Sequence, residues 1–246
     1  MPMLPDVQRG RKNEILYCAL VFAGLWLFFF HSFLLKGALL SGGDLINHYI
    51  PHKEFFRQWV HRGVIPLWNP HTFSGRPLLA DIQLGVFYPP NLLSLILPVP
   101  VFFTIITLLH LWFASMGAYL LAHRSFESLF SRFLFALVFS FGAFFTARLY
   151  SGIVLFIFTT AWIPWTLLAA ERWVEQRRRA DAVILGVVLA LQILAGSPQI
   201  AYYTWIMPLV HFLTGLRLPR GSSTLWSGYA LAGLIMVALS AAQFIP

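Results

Sequence analysis

Long apolar runs alternate with short polar connections along this chain, and one connection is far longer than the rest. A helix needs about 20 apolar residues to cross a bilayer. Seven runs are candidates: Glu14–Leu35, Val101–Ala122, Leu129–Ala147, Ile153–Trp173, Asp181–Ala195, Gln199–Thr214 and Leu225–Phe244. The fifth and sixth are short, and only the Gly-Ser-Pro-Gln segment 196–199 divides them, which reads as a tight turn or a break within one region. The pattern predicts an all-α membrane protein of about seven transmembrane helices in a single domain, 1–246.

The long connection, 36–99, is polar. Within it, Ile50, Phe55, Phe56, Trp59 and Val60 are interleaved with Lys53, Glu54, Arg57 and Gln58. That spacing predicts a short amphipathic helix lying on the membrane surface over Tyr49–Val60, with Pro51 in its first turn. Segment 66–90 reads as an ordered loop with Trp68, Phe73, Phe87 and Tyr88 as aromatic anchors. The apolar stretch 91–97 is too short to span, so it reads as re-entrant or surface-lying.

Composition agrees with a membrane protein. The chain is 59% hydrophobic and 11% charged, with mean hydropathy +0.74; soluble domains carry about 25% charged residues. A net charge of +8 is a signature of nucleic-acid binding in other chains, but these charges sit in short loops between apolar runs, so no nucleic-acid partner is expected. The charges instead orient the chain. With the N-terminus inside, the inner connections hold 11 of the 17 Lys and Arg, including the Arg177–Arg179 run. The long loop then faces outward and the N-terminus the cytoplasm. Cys18 is the lone cysteine and has no internal partner.

The loop concentrates the chemistry: three of the nine acids and four of the eight histidines. Asp44 follows Gly42 and Gly43, which allow the backbone to turn tightly back toward the membrane. It reads either as a general base or metal ligand, or as a helix N-cap. Asp81 lies in an apolar setting and needs a cation such as Arg76 or Lys53; it reads either as a second catalytic carboxylate or as a structural ion pair. His48 and His52 have helical i, i+4 spacing, but Pro51 is expected to disturb that register. His31, His110 and His211 read as hydrogen-bonded helix contacts within apolar runs. Arg76 and Arg148 are outer cations suited to a lipid phosphate or to snorkelling. Gln199 is a polar group for a sugar or phosphate, or a helix cap.

The segments GGDLINHYIPH, PLWNPHTFSGRPLLADIQLGVFYPPNLL, LHLWFASMGAYLLA, AWIPWTLLAAERW and AGSPQIAYY resemble the YfhO-like bacterial membrane protein family, itself similar to the GT-C class of integral membrane glycosyltransferases. The resemblance covers residues from about Asp44 onward and implies several things. The fold would be GT-C-like, with a long first outer loop, in the bacterial inner membrane. The activity would be inverting transfer of a sugar from a polyprenyl-phosphate carrier to a glycan, lipid or protein acceptor outside the membrane. Asp44 would be the catalytic base or a ligand of a divalent metal such as Mg2+ or Mn2+, with Asp81 as second acid. Substrate would be bound among Asn47, His48, Lys53, Arg76, Gln83, Arg148 and Gln199, with membrane lipids around the bundle. Family members are longer, so the chain is expected to be an N-terminal part of such a protein. The other readings are a transporter or flippase, against which the scarcity of acids in the apolar runs argues, and a non-catalytic membrane scaffold.

Overall fold

The computed structural model describes residues 5–35, 40, 42–72, 74–213 and 223–244, with the side chains of 5–11, 208–213, 223–224 and 244 left undescribed. Lys36, Phe73, the connection 214–222 and the His211 side chain therefore lie outside the described residues.

Among the described residues, helices take up most of the apolar sequence. They are α1 (Pro5–Phe29), α2 (His31–Leu35), α3 (Ile50–His61), α4 (Val99–Ala122), α5 (Leu129–Ser140), α6 (Ala143–Ser151), α7 (Val154–Ala161), α8 (Ile163–Gln176), α9 (Arg179–Leu194), α10 (Pro198–Leu213) and α11 (Ser223–Phe244). Among the described residues, five stretches are long and apolar enough to cross a membrane: Lys12–Phe29, Val99–Ala122, Leu129–Ser151, Val154–Gln176 and Leu225–Gln243. The fifth and sixth sequence candidates do form helices, but α9 and α10 have only 16 residues each. At 1.5 Å per residue each covers about 24 Å, short of a roughly 30 Å hydrocarbon layer.

Two spans are interrupted. The third breaks between α5 and α6 at Phe141 and Gly142, and the fourth bends between α7 and α8 at Trp162, two residues before Pro164. The first span likewise turns at Phe30, so that α2 is a separate short helix; the His31 ring donates to the Phe28 carbonyl at 2.6 Å.

Helix α4 is central and touches α1, α3, α5, α7 and α8. Phe102, Leu111, Ala114 and Ala118 on it are fully buried. Its Ser115 accepts from Trp26 Nε1 of α1 at 2.9 Å, so the aromatic rows of both helices lock in register. Helix α9 packs chiefly on α11, where Gly186 lets the Ala232 backbone approach.

The long loop is folded onto one end of this bundle. A π-helical turn, Leu45–Tyr49, runs into α3, and the His61 ring at the end of α3 donates to the Leu95 carbonyl of a 3-10 turn, Pro89–Leu95. A two-residue antiparallel pair, β1 (Trp68–Asn69) with β2 (Arg76–Pro77), closes the intervening bend. The predicted amphipathic helix exists, with Pro51 in its first turn, but one of its charges is inside. His52, Lys53 and Phe56 are buried against the loop and α4, so α3 is a packed element of the protein. Segment 91–97 is mostly this 3-10 turn, tied down by Asn91 and Ser94. Tyr88 is no interfacial anchor. It is 1% exposed and its hydroxyl meets His110 Nε2 of α4 at 2.6 Å and Trp162 Nε1 at 2.9 Å.

Candidate functional site

The loop reaches the bundle through close backbone contacts. Gly42 lies against Gly152, the left-handed residue (φ +78°) that ends α6. A side chain at Gly42 would collide with the Gly152 backbone, so only glycine permits the approach. Immediately afterwards the Gly42 carbonyl accepts from Ile46 N at 3.1 Å, which starts the helical run. Asp44 sits in the first turn of that run. It is exposed, and its carboxylate caps nothing: it makes no side-chain hydrogen bond or ion pair among the described residues. The N-cap reading of the sequence therefore has no bond behind it.

Asp81 is arranged in the opposite way. One carboxylate oxygen takes the Arg76 guanidinium, and the other accepts from Gln83 N at 3.1 Å, capping the 3-10 turn Ile82–Leu84. Of the two cations the sequence offered, Arg76 is the partner. Both side chains are mostly shielded, so the pair braces this bend, and Asp81 borders the crevice beside it.

Between α3 and the loop lies a narrow, water-sized crevice lined by His48, Tyr49, His52, Lys53, Asp81, Gln83 and Asn91 among others. The His48 and His52 rings lie 4.3 Å apart on one face, so Pro51 does not disturb their register. Proline in a first helical turn removes an N–H that would have had no partner. His48 Nε2 donates to Gln83 Oε1 at 3.1 Å. Burial, then the neighbouring His52 and Arg76, holds His48 below the usual histidine range. Lys53, 3% exposed, donates to the Leu84 carbonyl and lies 6.0 Å from the Phe102 ring. With no carboxylate beside it, burial alone pulls its amine down to about 7. Burial, with the Asp44 charge, pushes the Tyr49 hydroxyl up to about 12.

The remaining candidates are dispersed. Asn47 is exposed on the π turn. Arg148, on α6 four residues before Gly152, stacks on Phe144 (5.3 Å) and Phe156 (4.7 Å) and has no carboxylate partner among the described residues. Gln199 is exposed on the first turn of α10, where its amide donates to Tyr203 Oη at 3.1 Å, and it does not line the crevice.

A divalent cation needs several oxygen ligands. Asp44 has no second acid beside it, Asp81 is held by Arg76, and among the described residues no three His, Cys, Asp or Glu side chains gather into a cage. The described residues do not fit a protein-bound metal.

His52, Asn91 and Gly152 were missed or set aside in the sequence. The i, i+4 histidine spacing was a legible signal for the first. The other two depend on contacts across 6 to about 110 residues of chain, which no local pattern reveals.

No family model matches the chain, and neither a curated protein nor a solved structure matches it.

Proposed function

We propose that this protein is an integral membrane glycosyltransferase of the GT-C type, or the N-terminal catalytic part of one, working in the bacterial inner membrane. Seven spans, with the N-terminus cytoplasmic, would place the long loop outside. The donor is a polyprenyl-phosphate-linked sugar, and the acceptor is a hydroxyl of a glycan, lipid or protein.

The observation that carries this reading is the contrast between the two loop acids. Asp81 is consumed by Arg76, whereas Asp44 is exposed, lacks a hydrogen-bonding partner among the described residues, and sits on a helical turn pinned to the bundle by Gly42. In the proposed step the Asp44 carboxylate takes the proton of the acceptor hydroxyl. The acceptor oxygen attacks the anomeric carbon, the bond from that carbon to the phosphate oxygen breaks with its electron pair, and polyprenyl phosphate leaves from the opposite face. The configuration inverts. Arg148 is the cation best suited to the leaving phosphate, because its planar guanidinium is held on two rings with its donors uncommitted to a carboxylate. A general base contributes about 100- to 10,000-fold. Asp44→Asn is therefore expected to lower sugar transfer by about a thousandfold with membrane insertion intact, and undiminished transfer would refute the assignment.

One observation favours a second reading. The α5–α6 and α7–α8 spans are interrupted within their apolar stretches, as membrane helices of transporters often are. Carrier-dependent uptake into liposomes, with no transferase activity, would decide for a transporter or flippase.

A further inference from the structure

Polar and apolar side chains are sorted along the surface of the long loop. Helix α3 leaves only Pro51, Gln58 and His61 exposed. Beyond the left-handed Gly63 (φ +79°) the exposed residues become large and apolar: Val64, Ile65, Leu67 and Trp68, with Leu67 at 68%. A second such run, Leu92, Leu93 and Ile96, lies in and just after the 3-10 turn Pro89–Leu95, and Ile96 is 77% exposed. One bond ties the two runs together, from the His61 ring to the Leu95 carbonyl at 2.7 Å. The first run is also held in shape. Val64 N donates to the Trp59 carbonyl at 3.1 Å, Leu78 N to the Leu67 carbonyl at 2.8 Å, and Trp68 pairs with Pro77 while its ring covers Gly75.

An ordered apolar patch left open to solvent marks a surface that something else covers. Its position says what. Ile96 lies three residues before Val99, where the membrane-length helix α4 begins. With 24 residues α4 is about 36 Å long, more than the roughly 30 Å hydrocarbon layer, so its first turn stands at headgroup level. Three residues of chain reach at most about 10 Å, which keeps Ile96 at that level, and the His61 bond keeps the run after Gly63 beside it. The patch therefore continues the lipid-facing surface of the span, on which Val101 is the next exposed residue. A cation borders it. The Arg62 guanidinium stacks on Trp59 at 5.5 Å and has no carboxylate partner among the described residues, an arrangement suited to a headgroup phosphate. We propose that segment 64–68, with Leu92, Leu93 and Ile96, is a foot that dips into the bilayer interface at the loop end, and that Arg62 meets the lipid phosphates. Such insertion typically buries side chains about 5–10 Å deep. The membrane-surface role that periodicity assigns to α3 then falls on the turn after it, which leaves α3 to pack inward with Lys53. The foot fixes the height of α3, and of the π-helical turn leading into it, above the bilayer. It goes beyond the transferase reading and does not depend on it.

The test uses the full chain in nanodiscs of phosphatidylcholine and phosphatidylglycerol. The lone cysteine is removed by Cys18→Ala, and a nitroxide is attached to one introduced cysteine at a time: Ile65→Cys, Leu67→Cys, Ile96→Cys, or Gln58→Cys on the exposed side of α3. These positions are exposed, so the label displaces no packed side chain. Power-saturation EPR compares relaxation by oxygen, which concentrates in the apolar layer, with relaxation by nickel–EDDA, which stays in water. Labels at 65, 67 and 96 are expected to favour oxygen, and the label at 58 to favour nickel. A nickel preference at 65 and 67 would overturn the foot. So would labels at 65 and 67 shielded from both reagents, or spin–spin broadening between copies, because a partner protein or a second copy would then cover the patch. Arg62→Glu sets an anion among the phosphates and should shift the label at 65 toward nickel; an unchanged ratio would overturn the role given to Arg62.

Discussion

The two ends of the bundle treat their shielded charges in opposite ways. At the end away from the long loop, carboxylates meet cations. Glu14 of α1 takes Arg132 of α5 at 2.9 Å, with His123 at 3.5 Å and the Tyr119 hydroxyl also on it. Arg124 reaches Glu175 at 2.8 Å and Glu171 at 3.7 Å, and Arg172 meets the buried Asp181 at 2.5 Å. These pairs join α1 to α4 and α5, and α8 to its neighbours, so they are joints. At the loop end, the Arg76–Asp81 brace and the exposed Arg57–Glu54 contact are matched by four charges with no opposite partner among the described residues: Asp44, Lys53, Arg62 and Arg148. A charge that has found its partner has little left to offer a substrate. Where partners are withheld, and where withholding them is unfavourable as it is for Lys53, reactive potential is retained.

This contrast can be broken at either end. The largest effect after loss of the Asp44 carboxylate itself should come from Gly42→Ala, whose added methyl collides with Gly152 and displaces the turn carrying Asp44. Misplacement on the order of 1 Å costs about 100-fold in rate, so transfer should fall by that factor while thermal stability, followed in the same preparation, changes far less. Arg132→Ala should do the reverse. It strips a part-buried carboxylate of its cation and should cost about 2 kcal/mol of stability, read as a lowered unfolding temperature, with transfer per folded molecule unchanged.

Lys53→Met probes the unpaired charge by pH. The folded amine loses its proton near 7 and the unfolded one near 10.5, so between these values the unfolded chain binds more protons and stability rises with pH. Wild type should gain stability from pH 7 to 10, and the variant should lose that contribution to the slope. Above pH 10 Tyr49 acts in the other direction, since its folded hydroxyl ionises only at about 12. The smallest effect is expected of Arg124→Ala, an exposed pair worth at most about 1 kcal/mol; a larger loss would show that the joints at this end act as one network.

The helices were legible because apolar runs of membrane length leave the backbone few other ways to satisfy its hydrogen bonds. Their interruptions at Gly142 and Trp162 were not, since the apolar pattern continues across both. Asp81 was legible to the point of naming Arg76 as a partner, because the two lie five residues apart. Lys53 was misjudged. Its position between Phe55, Phe56 and Ile50 reads as the polar face of a surface helix, and only the folding of the bend at Leu84 over α3 puts its amine inside. The seat of Asp44 depends on Gly152, and a single distant glycine carries no local signature.

The Gly42–Gly152 contact also sets a clock. About a hundred residues separate its two halves, so at roughly ten residues per second Asp44 leaves the ribosome some ten seconds before the glycine it leans on. The bend that carries Asn91 waits longer, for the α9–α10 turn, whose Leu194 carbonyl and Gly196 lie against Gly85 and Ile82. During biogenesis the long loop is thus made early and seated late. A nascent chain arrested before α6 ends should expose Asp44 and the loop to protease, and the same loop should become resistant once α10 has been inserted.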